Sequence, residues 1–155
     1  MKATSTPNPI TSLYVQAMHE LAASIGLDPA DIVKTASVEA EGVRFYFRDT
    51  TEGDDKALSV LAEIGEIPAS ATPEVLRQLL EANAHLSVRT GTYALVPGTN
   101  FAALRVHVQL DEGASNGERV LGVLRDHLAS CKAVRHLGTA LQVEPGASVA
   151  NADLA

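Results

Sequence analysis

The best-spaced pair of chemically useful side chains in this sequence is a histidine and a cysteine. His127 and Cys131 stand four positions apart, so a helix would place both on one face, where they can act as two zinc ligands. Two ligands do not complete a site, and Cys131 falls on an apolar stripe, where a buried structural thiol is the simpler interpretation. The other histidines are scattered along the chain: His19, His85, His107 and His136. We therefore predict no metal site.

The acidic residues form one close pair and one cluster. Glu63 and Glu66 flank Gly65, but residues three apart on a strand point to opposite faces, so we expect no general acid–base pair there. The cluster is interpreted as a solvated loop and consists of Glu39, Glu41, Glu52, Asp54 and Asp55. The sequence contains no phosphate-binding glycine loop, HExxH, paired CxxC or GxSxG motif. It therefore predicts no catalytic residue, no cofactor and no enzyme activity.

Composition and charge narrow the class of protein. The chain has 155 residues, of which 46% are hydrophobic and only 4% aromatic, so we expect one domain with an aliphatic core. A formal net charge of -7 argues against nucleic-acid binding, since phosphate contacts need a basic surface. The single cysteine excludes an internal disulfide. The predicted domain spans residues 11–138, between a flexible lead-in of residues 1–10 and a mobile tail of residues 139–155.

The lengths of the apolar stretches also indicate where in the cell the protein is located. None approaches the length of about 18 residues that a membrane span needs, and the N-terminus lacks the basic segment and apolar run of a signal peptide. We therefore expect a cytoplasmic protein that does not insert into a membrane.

Helical and β periodicities alternate along the chain, which indicates an α+β fold. Helices are predicted at residues 12–25, 72–85 and 116–137, and strands at 43–48, 57–67, 92–96 and 101–110. Between Ile32 and Glu41 the assignment stays open, with room for a helical turn and an extra short strand. The predicted fold is an antiparallel, twisted β-sheet flanked by three helices, in the order α-β-β-α-β-β-α.

Three features within these elements carry specific expectations. Asn83 interrupts the apolar stripe of the second predicted helix, and a buried amide costs free energy unless its hydrogen bonds are met. It either fixes pairing between two copies of the helix or caps a neighbouring backbone. Asn116 is predicted to cap the last helix. In the last strand the predicted core set is Ala102, Leu104, Val106, Val108 and Leu110.

Several of these stretches resemble one protein family. Residues 79–83 (LLEAN), 91–95 (GTYAL) and the long strand 102–110, followed by an amphipathic helix, resemble the class I type III secretion chaperones, the Tir chaperone family. The run 58–68 (LSVLAEIGEIP) is similar to the second strand of that family, with its terminal glycine and proline. The likeness covers residues 11–137. It departs at a longer polar loop, residues 50–56, and at the tail after Gly138.

The resemblance implies a bacterial cytoplasmic homodimer with a role in virulence and without enzymatic activity. Such a chaperone binds the N-terminal region of one or more secreted effectors in extended form and keeps it soluble and competent for secretion. Contact with the ATPase of the secretion apparatus is also implied. By family position, the implied dimer contacts are Leu76, Leu79, Leu80, Asn83, Tyr93 and Leu95. The implied effector-binding residues are Leu13, Val15, Val43, Phe45, Phe47, Val60, Ala62 and Ile64.

Alternatives remain at this point. Each strand residue in the effector-binding set can equally be plain core, because periodicity does not distinguish a core face from a docking face. At the level of function, a dimeric regulatory or scaffolding domain without a secreted client fits the same patterns. A small enzyme of unrecognised chemistry would require the histidines and the acidic cluster to converge in a pocket.

Overall fold

A computed structural model describes residues 12–50, 56–85 and 91–137. The described helices are α1 (Leu13–Ile25), α2 (Pro29–Thr35), α3 (Thr72–Asn83) and α4 (Asn116–Leu137). The described strands are β1 (Ser37–Ala40), β2 (Val43–Asp49), β3 (Ala57–Glu66), β4 (Thr92–Leu95) and β5 (Phe101–Gln109). The predicted α+β class is confirmed. The structure adds α2 and β1 in the region where the sequence left the assignment open. The predicted lead-in, tail and Gly138 lie outside the described residues.

The helix starts follow from local sequence. The side chain of Ser12 accepts a hydrogen bond from the backbone nitrogen of Val15 at 3.2 Å, which caps α1. Gly26 ends that helix in a left-handed conformation with φ of 70°. Asp28 caps α2 in the same way, through the backbone nitrogen of Ala30 at 2.8 Å, with Pro29 at the first helical position. None of the helices in the described ranges is long and apolar enough to cross a membrane.

The five strands form one antiparallel sheet in the order β1-β2-β3-β5-β4. The β3–β5 register shifts between Glu63 and Gly65, so Ile64 is an extra residue in a β-bulge. Glu63 lies opposite Ala103, and Glu66 lies opposite Phe101. Because residues two apart on β5 share a face, the bulge brings the two glutamates to the same face of β3. The expectation of opposite faces was wrong, since it assumed an uninterrupted strand.

The core lies between one face of the sheet and the helices α1 and α4. It is built from aliphatic side chains around Phe45, which is fully buried. The predicted core set on β5 is confirmed, because all five side chains are at most 5% exposed. The buried apolar residues of α4 form a stripe that includes Cys131, as expected for that residue: Val120, Leu121, Leu124, Leu128 and Cys131.

The helices α1 and α4 meet at Glu20. Its carboxylate accepts a hydrogen bond from the backbone nitrogen of Gly117 at 2.7 Å, in the first turn of α4. A Cβ atom at Gly117 would lie 2.4 Å from the Cβ of Glu20, so only glycine fits there. Asn116 does not play the predicted capping role. Its carboxamide instead pairs with the backbone nitrogen and oxygen of Asp111, both at 3.0 Å, and closes the loop before α4.

Candidate protein-docking surfaces

The predicted dimer residues come together between α3 and β4. A shallow groove of about 180 Å³ is lined by Leu76, Leu79, Leu80, Tyr93, Ala94 and Leu95. We call it the α3–β4 groove. Leu80 is 69% exposed and Leu95 is 36% exposed, the two large apolar side chains most exposed among the described residues. Whether they contact a second copy stays a prediction, but five of the six predicted residues share one apolar surface.

Asn83, the sixth predicted residue, holds β4 against α3. Its side-chain oxygen accepts a hydrogen bond from the backbone nitrogen of Tyr93 at 2.7 Å, and its side-chain nitrogen donates to the carbonyl of Tyr93 at 3.1 Å. Because β4 is an edge strand, these backbone groups of Tyr93 have no neighbouring strand to pair with. Of the two interpretations open for Asn83, the structure shows the capping of a neighbouring backbone.

The opposite edge of the sheet is closed in a similar way. The hydroxyl oxygen of Thr35 lies 3.4 Å from the backbone nitrogen of Ser37 and 3.1 Å from its carbonyl oxygen, but its one proton is shared with the carbonyl of Asp31, which is closer at 2.9 Å. Ser37 belongs to β1, the other edge strand. At both edges, therefore, one polar side chain from the adjacent helix contacts the outward backbone groups of the edge strand, fully at Tyr93 and in part at Ser37.

The predicted effector-binding residues separate into two groups. Leu13 and Val15 on α1 are partly exposed. The six strand residues are at most 4% exposed and belong to the core: Val43, Phe45, Phe47, Val60, Ala62 and Ile64. Their burial fits the plain-core alternative, and a role in effector binding is not tested by it.

The sheet face turned away from α1 and α4 carries a second concave surface. It encloses about 340 Å³ and is lined by Tyr46, Arg48, Ser59, Leu61, Arg105 and residues 94–97. We call it the outer pocket. The sequence analysis did not single it out, although the alternation at 43–48 and 101–110 already placed arginines on the outward face.

Hydrogen bonds organise the polar side chains around the outer pocket. Arg105 donates from Nε to the hydroxyl of Ser59 at 3.1 Å. Tyr46 donates to Oε2 of Glu63 at 3.1 Å and accepts from Arg44 at 3.3 Å. The hydrogen bond with Tyr46 is the main cause that raises the pKa of Arg44 above its usual value. The hydroxyl of Tyr46 therefore links the guanidinium of Arg44 to the carboxylate of Glu63. These two charged groups lie beside the pocket and are not part of its lining.

The histidine and cysteine of α4 lie inside the protein. His127 is 3% exposed, and neither ring nitrogen has a hydrogen-bond partner within residues 12–50, 56–85 and 91–137. Burial lowers the pKa of His127, and the nearby carbonyl of Val123 and carboxylate of Asp126 oppose this in part. In the part of the chain that the structure describes, no three His, Cys, Asp or Glu side chains are arranged to hold a metal ion.

Comparison with known proteins defines the fold. No family model and no curated protein matches this sequence. Among solved structures, a chain in the crystal structure of the ExsC–ExsE complex is similar, with a TM-score of 0.62, 18% sequence identity, and coverage of 82% of this chain and 96% of that chain. At this identity the likeness establishes the fold alone. The α+β architecture described above is therefore one already seen in a two-protein complex.

Proposed function

We propose that this protein is a homodimeric chaperone of type III secretion, which binds the N-terminal region of one or more secreted effectors. Two independent observations support the proposal. The sequence resembles the class I chaperones of this system, and the fold is similar to that in the ExsC–ExsE complex, in which ExsC is a type III secretion chaperone. The fold match carries the most weight, because it covers nearly the whole of the matched chain.

The α3–β4 groove supports the dimer. A groove with Leu80 and Leu95 at its surface leaves apolar area in water that pairing with a second copy would bury. Two-fold dimers are the commonest oligomers of soluble proteins. A stable interface of this kind buries about 1,200–2,000 Å² in total. The salt bridges of Arg77 with Glu74 and Glu81, at 3.1 and 2.6 Å, keep the opposite side of α3 polar.

The client is an extended segment of another protein. An extended chain can place backbone groups against a sheet edge and side chains into surface pockets. In this function the chaperone acts in the bacterial cytoplasm and prevents the segment from folding or aggregating. It then delivers the segment to the ATPase of the secretion apparatus. The partly exposed side chains of Leu13 and Val15 remain part of the proposed binding surface.

Co-expression tests the proposal. Candidate secreted proteins encoded in the same bacterium are produced with and without this chain, and the soluble fraction of each is measured. We expect at least one client to stay soluble only in the presence of the chain, and to co-purify with two copies of it. Deletion of the client's N-terminal segment should abolish the complex. A dimer that captures none of these proteins would favour the regulatory or scaffolding alternative.

A further inference from the structure

The outer pocket has a charge opposite to that of the whole protein. Its lining contains two arginines, Arg48 and Arg105, and no acidic residue, whereas the chain carries a formal net charge of -7. An anionic group of modest size is therefore attracted to this pocket although the protein as a whole repels polyanions. The outer pocket thus favours a ligand group that carries a negative charge.

The register of the sheet places the two arginines on either side of β3. Arg48 of β2 lies opposite Ser59, and Arg105 of β5 lies opposite Leu61. Strands two apart in a sheet are separated by about 10 Å. The backbones of the two arginines therefore flank β3, and the side chain of Arg105 reaches over β3 to the hydroxyl of Ser59, the residue opposite Arg48.

Two acidic residues on the same face of the sheet already have partners. Glu63 accepts the hydrogen bond from Tyr46, and Glu39 lies 3.9 Å from the guanidinium of Arg44. Arg48 has no ion-pair or hydrogen-bond partner in the described part of the chain, and Arg105 is held by a neutral hydroxyl. Both guanidinium groups can therefore receive a carboxylate, which they bind through two parallel N–H donors.

Apolar side chains complete the surface. Leu61, Ala94 and Val96 contribute to the lining beside the arginines, and they offer contact area to an aliphatic side chain. Leu95 lines both this pocket and the α3–β4 groove, so the pocket reaches the exposed edge of β4. A segment in extended conformation, with apolar and acidic residues close together, matches these features.

We propose that the outer pocket binds an extended peptide segment of the client in which an aliphatic residue stands beside an aspartate or glutamate. This inference rests on the proposed chaperone function and specifies the chemistry of its client. The carboxylate pairs with Arg48 or Arg105, and the aliphatic side chain packs over Leu61. Nucleic acid fits the surface less well, because its many phosphates would meet an acidic protein.

The test uses fluorescein-labelled peptides of twelve residues and measures affinity by fluorescence anisotropy. The first peptide repeats Leu-Asp-Ser, the second replaces Asp by Lys, and the third replaces Leu by Ser. We expect the first to bind at least tenfold more tightly than either of the others. Arg105→Glu and Arg48→Glu should each weaken its binding about tenfold or more. Lys34→Glu, at an exposed position of α2, changes the net charge equally and should leave the affinity unchanged.

Chemical-shift mapping locates the binding site independently. Addition of the first peptide should shift the backbone amide signals of Leu61, Ala94 and Arg105, and should leave that of Leu76 in the α3–β4 groove in place. Thermal unfolding of each variant verifies that the fold is intact. Equal binding of the Lys peptide, or full affinity of Arg105→Glu in a folded protein, would overturn the proposal. Tighter binding of a twelve-nucleotide oligothymidylate, lost in Arg105→Glu, would overturn it in favour of nucleic acid.

These experiments distinguish a failure of the pocket assignment from a failure of the proposed chaperone function. If a co-expressed client still binds Arg105→Glu with full affinity, the assignment of the outer pocket is wrong while the chaperone function stands. If the Leu-Asp-Ser peptide binds as expected but no secreted protein is captured, the pocket assignment stands and the chaperone function falls.

Discussion

At the scale of single residues, the carboxamide of Asn83 acts as a substitute for a neighbouring strand. It offers one acceptor and one donor to the two outward backbone groups of Tyr93. An aspartate would lack the donor and a leucine would lack both groups. The side chain therefore anchors β4 to the end of α3 and shapes one wall of the α3–β4 groove.

Replacement of Asn83 by alanine tests this anchor. We expect the free energy of unfolding to fall by about 1–3 kcal/mol, because two half-buried backbone groups lose their partners. Hydrogen exchange at the amide of Tyr93 should also become faster. Gln78→Ala is the control, since Gln78 is exposed on the same helix and its side chain donates to the side chain of Glu74. Unchanged exchange at Tyr93 would contradict the anchoring role.

The sequence established that Asn83 needs partners but not which partners. The polar groups of an amide on an apolar stripe need hydrogen-bond partners. Either another helix or a neighbouring backbone can supply them. The choice depends on how closely β4 approaches the end of α3, a distance that arises only from tertiary packing. Asn116 shows the same limitation, because its predicted cap of α4 is replaced by the pairing with Asp111.

His127 is the second residue whose local packing leads to a prediction about stability. It is buried beside Gly91, where a Cβ atom would come within 3.2 Å of its Nε2 and within 2.8 Å of the carbonyl oxygen of Arg105. A glycine with φ of 99° fits this position because it has no side chain. The imidazole thus occupies a space that only glycine leaves open.

This burial predicts a pH dependence of stability. The folded-state pKa of His127 is lower than its unfolded value of about 6.5, so at low pH the unfolded chain binds a proton that the folded chain does not. The contribution to stability is present above that unfolded value and is lost as the pH falls through it towards the folded pKa.

Urea unfolding between pH 7.5 and 5 measures the effect. We expect the free energy of unfolding of the wild type to decrease over this range, and that of His127→Leu to decrease less. His107→Gln serves as control, because it also removes one histidine but from an exposed position on β5. Parallel curves for wild type and His127→Leu would show that His127 does not titrate differently on folding.

At the scale of elements, the contact of α1 with α4 depends on a glycine. The N-terminus of α4 approaches α1 so closely that Gly117 lies against Glu20, whose carboxylate accepts the Gly117 N–H. The carboxylate also lies at the positive end of the helix dipole. One contact therefore sets both the separation of the helices and the start of α4.

Two glycines of α4 make a matched pair of variants. Gly117→Ala should lower the free energy of unfolding by about 1–3 kcal/mol, because the new Cβ has to push α1 and α4 apart. Gly122→Ala should raise it by about 0.5–1 kcal/mol, because Gly122 is exposed in the same helix with no atom within 4 Å of the added Cβ. Equal effects of the two variants in chemical denaturation would refute the close helix contact.

The elements themselves were largely predictable, and the exceptions have local causes. Alternation along β2, β3 and β5 gave the correct inward faces, since every second side chain there is apolar. The bulge at Ile64 was not predictable from alternation, so the faces of Glu63 and Glu66 were misassigned. The outer pocket was not predictable from the sequence for a related reason. Its side chains come from four strands, and their proximity depends on the strand order.

At the scale of the whole molecule, the exposed surface of α3 carries the proposed dimer contact. Leu80 extends into water while Leu79, one position earlier, is 8% exposed. The first residue is available to a partner, and the second belongs to the fold of one copy. This difference allows assembly to be tested separately from folding.

Leu80→Glu should dissociate the proposed dimer without unfolding its subunits. In sedimentation at micromolar concentration we expect wild type to behave as a dimer and the variant as a monomer, with the same helical content by circular dichroism. Leu79→Ala should instead lower the free energy of unfolding, by about 2–5 kcal/mol. Gln78→Glu adds the same charge on the polar side of α3 and should stay dimeric. A monomeric wild type would overturn the proposed dimer.

The masking of the two sheet edges also limits how copies can stack. Open edge strands recruit further strands and grow into fibrils. By the alternation of the ladders, each edge here keeps one outward residue unmasked, Leu95 on β4 and Glu39 on β1. Pro97, two residues after Leu95 and beyond the end of β4, has no N–H to offer. Each edge therefore offers only a short run of open backbone groups to a further strand, which is a common protection of edge strands against edge-to-edge pairing.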